Sequence, residues 1–199
     1  MGYVGLVPGS VWIWRPANVQ IMDSWHTLIS EFENGAEQRR AKWIKPRMTV
    51  RMRYERGTIT PDDVADIWRF YQVQQGAFRT FNLPLFGQLT TVASAYVGGL
   101  SLGLSDTQDF TSELSSRWAK LYVQNAAGTF DTFTVTSVVN ASHVRIQSAS
   151  ATQSAANSYP LGAPVSPVIT ARFAQDTFGQ EYLVALMTTL GVDFTEVRS

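Results

Sequence analysis

The sequence predicts a mainly β protein of the α+β class: a β-sandwich or barrel domain with one packed helix, plus an inserted small antiparallel β-barrel. Three observations lead there. Residues 47–54 place Met48, Val50, Met52 and Tyr54 on one side and Arg47, Thr49, Arg51 and Arg53 on the other. That period-two alternation is the signature of a strand with one buried face. One clear helix start follows, at Thr60-Pro61-Asp62-Asp63. From Leu89 to about Pro167 the chain is rich in Thr, Ser, Ala, Val and Gly, poor in charge, and offers no convincing helix.

From the N-terminus, Met1–Ser10 contains Gly and Pro and is expected to be irregular, or an arm laid on a neighbour. Val11-Trp12-Ile13-Trp14 is a short β-prone run stopped by Pro16, its two tryptophans expected as core or interface anchors. Val19–Met22 reads as another strand. Asp23–Phe32 has Trp25, Leu28 and Ile29 at helix-compatible spacing, while Thr27–Phe32 alternates equally well as a strand.

The helix is expected over 61–75. Thr60 is placed as N-cap, Pro61 at the first helical position, and Asp62 and Asp63 at the positive end of the helix dipole. Val64, Ile67, Trp68 and Tyr71 form its apolar stripe, and Gly76 suits a left-handed cap. The helix must lie on something, and the apolar face of the preceding strand is the nearest candidate. Phe78–Leu85 reads as the next strand, closed by Pro84.

Short strands are then expected at Thr91–Tyr96, Ser101–Leu104, Lys120–Asn125, Asp131–Val139, Val144–Ser148 and Val165–Ala171. Turn signals separate them, among them Gly98-Gly99, Ala127-Gly128 and Asn140-Ala141-Ser142. Ala149–Ser158, made of small and polar residues, reads as a flexible loop. Arg172–Gln180 is a connector, Glu181–Thr188 a strand or short helix, and Val192–Val197 a closing strand. The expected division is therefore 1–88 with 172–199 as one domain and 89–171 as an insert.

The composition bounds the function. At 199 residues the chain can build a sizeable core, and 45% hydrophobic and 12% aromatic residues fit an ordered globular protein. Its 16% charged fraction is low against a usual figure of about 25%, as expected of a surface covered by neighbouring subunits. Lys plus Arg balance Asp plus Glu at 16 each, so the whole chain is no polyanion binder. Yet eight of the basic residues lie between Glu37 and Arg56 with only two acidic ones. That cluster is a solvated strand face, a nucleic-acid track, or a subunit interface. In the last case Arg47, Arg51 and Arg53 meet Asp62, Asp63 or Asp66 of a neighbour.

No cysteine is present, which excludes disulfides and thiol chemistry. No stretch approaches the ~20 apolar residues of a membrane span. The opening Met1–Gly5 has no basic-then-apolar pattern of a secretory signal, and Leu6 stands where myristoylation needs Ser or Thr.

Residues for catalysis are few. His26 sits among Trp25, Leu28 and Ile29, and His143 lies at the lip of a strand; neither belongs to a metal-ligand pattern. No nucleophile elbow, phosphate loop or dinucleotide fingerprint occurs. Asp62 and Asp63 are explained by capping, and Asp106-Thr107-Gln108-Asp109 is too short for a calcium loop. No enzyme, cofactor or metal is expected. The insert carries only Arg117, Lys120 and Arg145 as bases, which disfavours nucleic acid there.

One set of residues resembles a known family. Glu37-Gln38-Arg39-Arg40, Trp43, Pro46-Arg47, the long strand, and the helix ending Tyr71-Gln72-Val73-Gln74-Gln75-Gly76-Ala77-Phe78-Arg79 are similar to the distal tail proteins of long-tailed bacteriophages. These are related to the minor tail proteins of lambda-like phages. The resemblance covers roughly the first 86 residues and returns at Phe194–Arg198, and Ser112–Val123 with Thr132–Val138 resembles phage tail insert modules.

The resemblance implies a six-fold ring of identical subunits at the tail tip, assembled in the host bacterial cytoplasm. It would contact tube subunits above and a hub or fibre-bearing protein below. Tape measure and DNA would pass through its lumen without sequence-specific binding. Phe78–Pro84 lacks the acidic residue that the family often carries after the helix exit, leaving a neighbouring hub or completion component as a second place in the tail. An alternative from another class is a carbohydrate-binding module that grips host glycans through Trp118, Tyr122 or Tyr159.

Overall fold

The computed structural model describes residues 11–32, 37–41, 47–55, 57–87, 89–94, 96–97, 101–107, 110, 118, 120–124, 130–148, 158–176, 181–183 and 186–197. The molecule is mainly β, with a large antiparallel sheet and, among the described residues, one α-helix. In chain order the first elements are β1 (Asn18–Ser24), β2 (Thr27–Glu31), β3 (Glu37–Ala41), β4 (Arg47–Glu55), α1 (Pro61–Val73) and β5 (Phe81–Pro84). There follow β6 (Thr90–Thr91), β7 (Tyr96–Val97), β8 (Ser101–Gly103), β9 (Lys120–Gln124) and β10 (Phe130–Asn140). The last are β11 (His143–Ser148), β12 (Ser158–Tyr159), β13 (Pro164–Phe173), β14 (Glu181–Leu183) and β15 (Leu186–Glu196).

Two compact units divide the chain: residues 1–8, 16–80 and 171–199, and residues 9–15 and 81–170. These boundaries fall after 80 and after 170, where the sequence reading divides after 88 and after 171. The calls on Met1–Ser10, on Trp43 and Pro46, and on 149–157 lie outside the described residues.

In the first unit β4 is central, paired antiparallel with β1 on one side and β15 on the other. Residues 171–173 of β13 continue the sheet beyond β15, and β14 folds onto the start of β15. The alternation read from residues 47–54 holds residue by residue. Met48, Val50, Met52 and Tyr54 are buried, whereas Arg47 and Arg53 are exposed. Leu190, Val192 and Phe194 of β15 and Ala171 and Phe173 of β13 extend the apolar face. Each of the larger aliphatic and aromatic side chains among them contributes about 1.5–3 kcal/mol when fully buried.

Helix α1 begins as its sequence predicts. The Asp63 N–H donates to Thr60 Oγ1 at 3.2 Å, and the Thr60 N–H donates to Asp63 Oδ2 at 2.8 Å, a reciprocal capping box. Its buried stripe is Val64, Ile67 and Phe70, continued by Gln74 beyond the helix. Trp68, read as part of that stripe, is instead 46% exposed, because the stripe centres on Ile67 and Phe70 and leaves Trp68 on its flank. Phe70 and Tyr71 meet the Phe173 ring, which in turn meets Phe194, so the helix lies on the apolar sheet face.

Three further readings change. Asp23–Phe32 is not a helix, since Thr27–Glu31 takes the strand alternative and pairs with β3 in a separate two-stranded sheet. Phe78 belongs to the turn after α1, and the strand begins only at Phe81. Val11–Trp14 makes a single bridge, Val11 to Asn82, and no strand.

The second unit is a closed antiparallel barrel. Residues 164–168 of β13 pair with β9 and with β6; β9 pairs with β10, β10 with β11, and β11 with β8. A bridge from Val92, just past β6, to Leu104, just past β8, completes the circuit. Backbone bonds seal it: Ala93 N–H to the Gly103 carbonyl and Ser105 N–H to the Thr91 carbonyl, both 2.9 Å. Closure removes the free strand edges that a small sheet would expose. Inside lie Val92, Leu102, Leu104, Leu121, Val123 and Phe133, among others.

Candidate subunit interface

The residues read from sequence as interface candidates separate into three groups. Trp12 and Trp14 are buried in the second unit, ring centroids 4.8 Å apart, with the Trp12 Nε1–H donating to the Trp14 carbonyl at 3.0 Å. Trp12 also stacks on Phe81. Both tryptophans are therefore core, and a neighbour has no access to them.

The acidic residues of α1 are already engaged in part. Asp63 closes the capping box. Asp66 accepts from Arg69 Nη1 at 2.8 Å, three residues along the helix. Asp62 is exposed on the first turn, where the helix dipole favours a carboxylate.

The arginines of β4 share one polar face. Arg51 makes a two-pronged contact with Asp193 of β15, Nε to Oδ1 at 2.8 Å and Nη2 to Oδ2 at 2.9 Å. That hydrogen bonding, and then the carboxylate charge, hold the Arg51 pKa above its usual range. Register places Arg47 beside Ser24, and Arg53 between Asn18 and Gly191. With exposed Arg172 on β13, which pairs with Thr195, the face is basic. Within the chain, Arg51 is thus already held by Asp193.

Sequence reading passed over the most exposed apolar element. The β2–β3 hairpin is exposed on both strands. Trp25, Leu28, Ile29 and Phe32 are between 51% and 61% exposed, and Ile21 of β1 adds 47%. A signal was present: Leu28 and Ile29 are consecutive, so a strand there must put one apolar side chain on each face. An isolated two-stranded ribbon is marginal in water without something to pack on.

In the second unit Tyr122 and Tyr159 are buried, and Trp118 packs against the barrel core. The Tyr159 hydroxyl donates to Asp131 Oδ2 at 2.6 Å. The two tyrosines consequently offer no open ring to a sugar. Ser142 Oγ lies 2.9 Å from His143 Nδ1, but Ser142 also bonds Asn140 Oδ1 through both its N–H and its hydroxyl, the pattern of a polar β-turn. Among the described residues no group of three or more His, Asp or Glu is placed to hold a metal ion, and no helix is long and apolar enough to cross a membrane. No protein-family model matches this sequence, and a search of the curated proteins finds no match.

Proposed function

We propose that this chain is a structural component of a bacteriophage tail tip, a distal tail protein whose copies form a ring joining the tail tube to the hub or fibre-bearing proteins. The observation that carries the reading is the β2–β3 hairpin. It carries exposed Leu28 and Ile29, with exposed Trp25 and Phe32 just outside β2, in one stretch that its own unit leaves uncovered, as a stretch meant for other chains would. Two further features support it. Of the residues carrying the family resemblance, Glu37–Arg40 fall on this hairpin, Arg47 on β4, and Tyr71–Arg79 on the last turn and exit of α1. The arginine face of β4 gives a second surface suited to contact. In this reading the protein works by contact and symmetry, not by turnover, and a ring needs heterologous interfaces in which each patch meets a different one.

Negative-stain imaging of the purified protein tests the proposal. Closed rings with a central hole are the expected result. Particles that stay monomeric at every concentration, by imaging and by light scattering, overturn it.

A further inference from the structure

The β2–β3 hairpin holds a like-charge conflict. Glu31 and Glu37 are directly cross-strand partners, so their side chains leave the same face only about 5 Å apart at Cβ, an arrangement that destabilises a ribbon. Arg39, two residues along on that face, takes Glu37 at 2.8 and 3.0 Å. Among the described residues no ion pair reaches Glu31.

The complementary situation stands on the polar face of β4. Arg53 is exposed between Asn18 and Gly191, and no atom lies within 4 Å of where a Gly191 side chain would begin. Position 191 beside Arg53 therefore leaves room on that face. Among the described residues no carboxylate pairs with it, whereas Arg51 on the same face is held by Asp193.

We propose that the hairpin of one copy docks on the β1–β4–β15 polar face of a second copy, where its Glu31–Glu37 pair takes that copy's Arg53. The inference rests on the self-assembly reading above. The occupant is a second copy because Glu31 and Arg53 are opposite charges of one chain, on surfaces that do not pair with each other within it. Ile29, on the same face of the hairpin as Glu31, supplies apolar area beside the charge contact, which a lone exposed ion pair would need. The contact is heterologous, so repeating it closes a ring or extends a filament.

Glu31→Arg separates docking from mere folding. It replaces a like-charge pair by an opposite one within the hairpin, so the fold is kept, while the proposed contact is reversed. The expected result is assembly weakened about tenfold in midpoint concentration by Glu31→Arg and by Arg53→Glu, and recovered in the double variant. Far-ultraviolet circular dichroism should stay unchanged in all three. The deciding readout is cross-linking. The chain has no cysteine, so a mixture of Glu31→Cys and Arg53→Cys chains under mild oxidation should give a covalent dimer with one of each. If the wild-type protein assembles and that dimer does not form, the docking proposal falls and the ring reading stands. If the wild-type protein never assembles, both fall.

Discussion

Gly76 leaves helix α1 at φ +60°, directly after Gln75 at φ 55°. A side chain there would meet Asp176 Oδ1 at 2.7 Å and the Tyr71 hydroxyl at 3.1 Å. The same Asp176 oxygen accepts the Ala77 N–H at 2.8 Å, so the carboxylate cannot retreat freely. Gly76→Ala should cost about 1–2 kcal/mol from the left-handed backbone alone, and a urea midpoint lowered accordingly checks it. Lys120 is a second single-residue case. Its Nζ donates to Asn82 Oδ1 at 2.6 Å, and partial burial lowers its pKa from 10.5. A lowered lysine pKa means that folding disfavours the charged form. Stability from this group therefore grows as pH rises from the lowered value towards 10.5, and is lost as pH falls. Tyr71 acts oppositely: desolvation, then Asp176, raise its pKa above 10.0, so the stability it contributes is lost as pH climbs beyond that. The Lys120→Met variant should therefore flatten the rise on the alkaline side. Denaturation curves of the two proteins at matched pH values test this, and parallel curves would exclude it.

Among the elements, α1 is specified locally and positioned by aromatic packing. Its capping box joins Thr60 and Asp63, and Thr60→Ala should cost about 1 kcal/mol, measurable by chemical denaturation. The helix then needs a floor, and Phe173 with Phe194 provides it. The barrel of the second unit depends instead on circular pairing. A single bridge, Val92 to Leu104, completes a circuit that runs through β6, β13, β9, β10, β11 and β8. The hairpin β2–β3 has neither floor nor circuit among the described residues. Two strands alone bury too little apolar surface to be stable by themselves, and in the proposed assembly a second copy covers them.

For the molecule as a whole, charge is balanced in sum and segregated in space. Equal totals of 16 permit copies to associate without net repulsion, while Arg53 on β4 and Glu31 on the hairpin supply the opposite charges of the proposed contact. Assembly through such contacts should weaken with salt. Light scattering should show the association midpoint moving to higher protein concentration between about 0.05 and 0.5 M NaCl, as the screening length shrinks from well over 10 Å to a few Å. Assembly that strengthens throughout that range would mean that apolar contact alone holds the copies together.

Several features of this protein were determined by its sequence alone. The alternation of β4, the capped start of α1, its left-handed exit at Gly76 and the mainly β class all rest on local rules of period, capping and backbone sterics, which need no partner to be legible. Five of the insert's strands were legible for the same reason, their ends displaced by one or two residues; the run expected at Thr91–Tyr96 is instead two short strands, β6 and β7, in different sheets, and β7 pairs with β12, which reads as loop and turn. Only the tertiary structure decided what each apolar residue touches. Trp12 and Trp14 read equally well as core or as interface, and they are core because Phe81 and the β5 backbone cover them. Trp68 and Phe70 are near neighbours on one helix, and the position of Phe173 decides which of them is buried. Arg51 reads as a free interface cation until β15, 142 residues away, brings Asp193 beside it. Burial and ion pairing join residues distant in the chain, so a periodic pattern can say which face is apolar but not what lies against it.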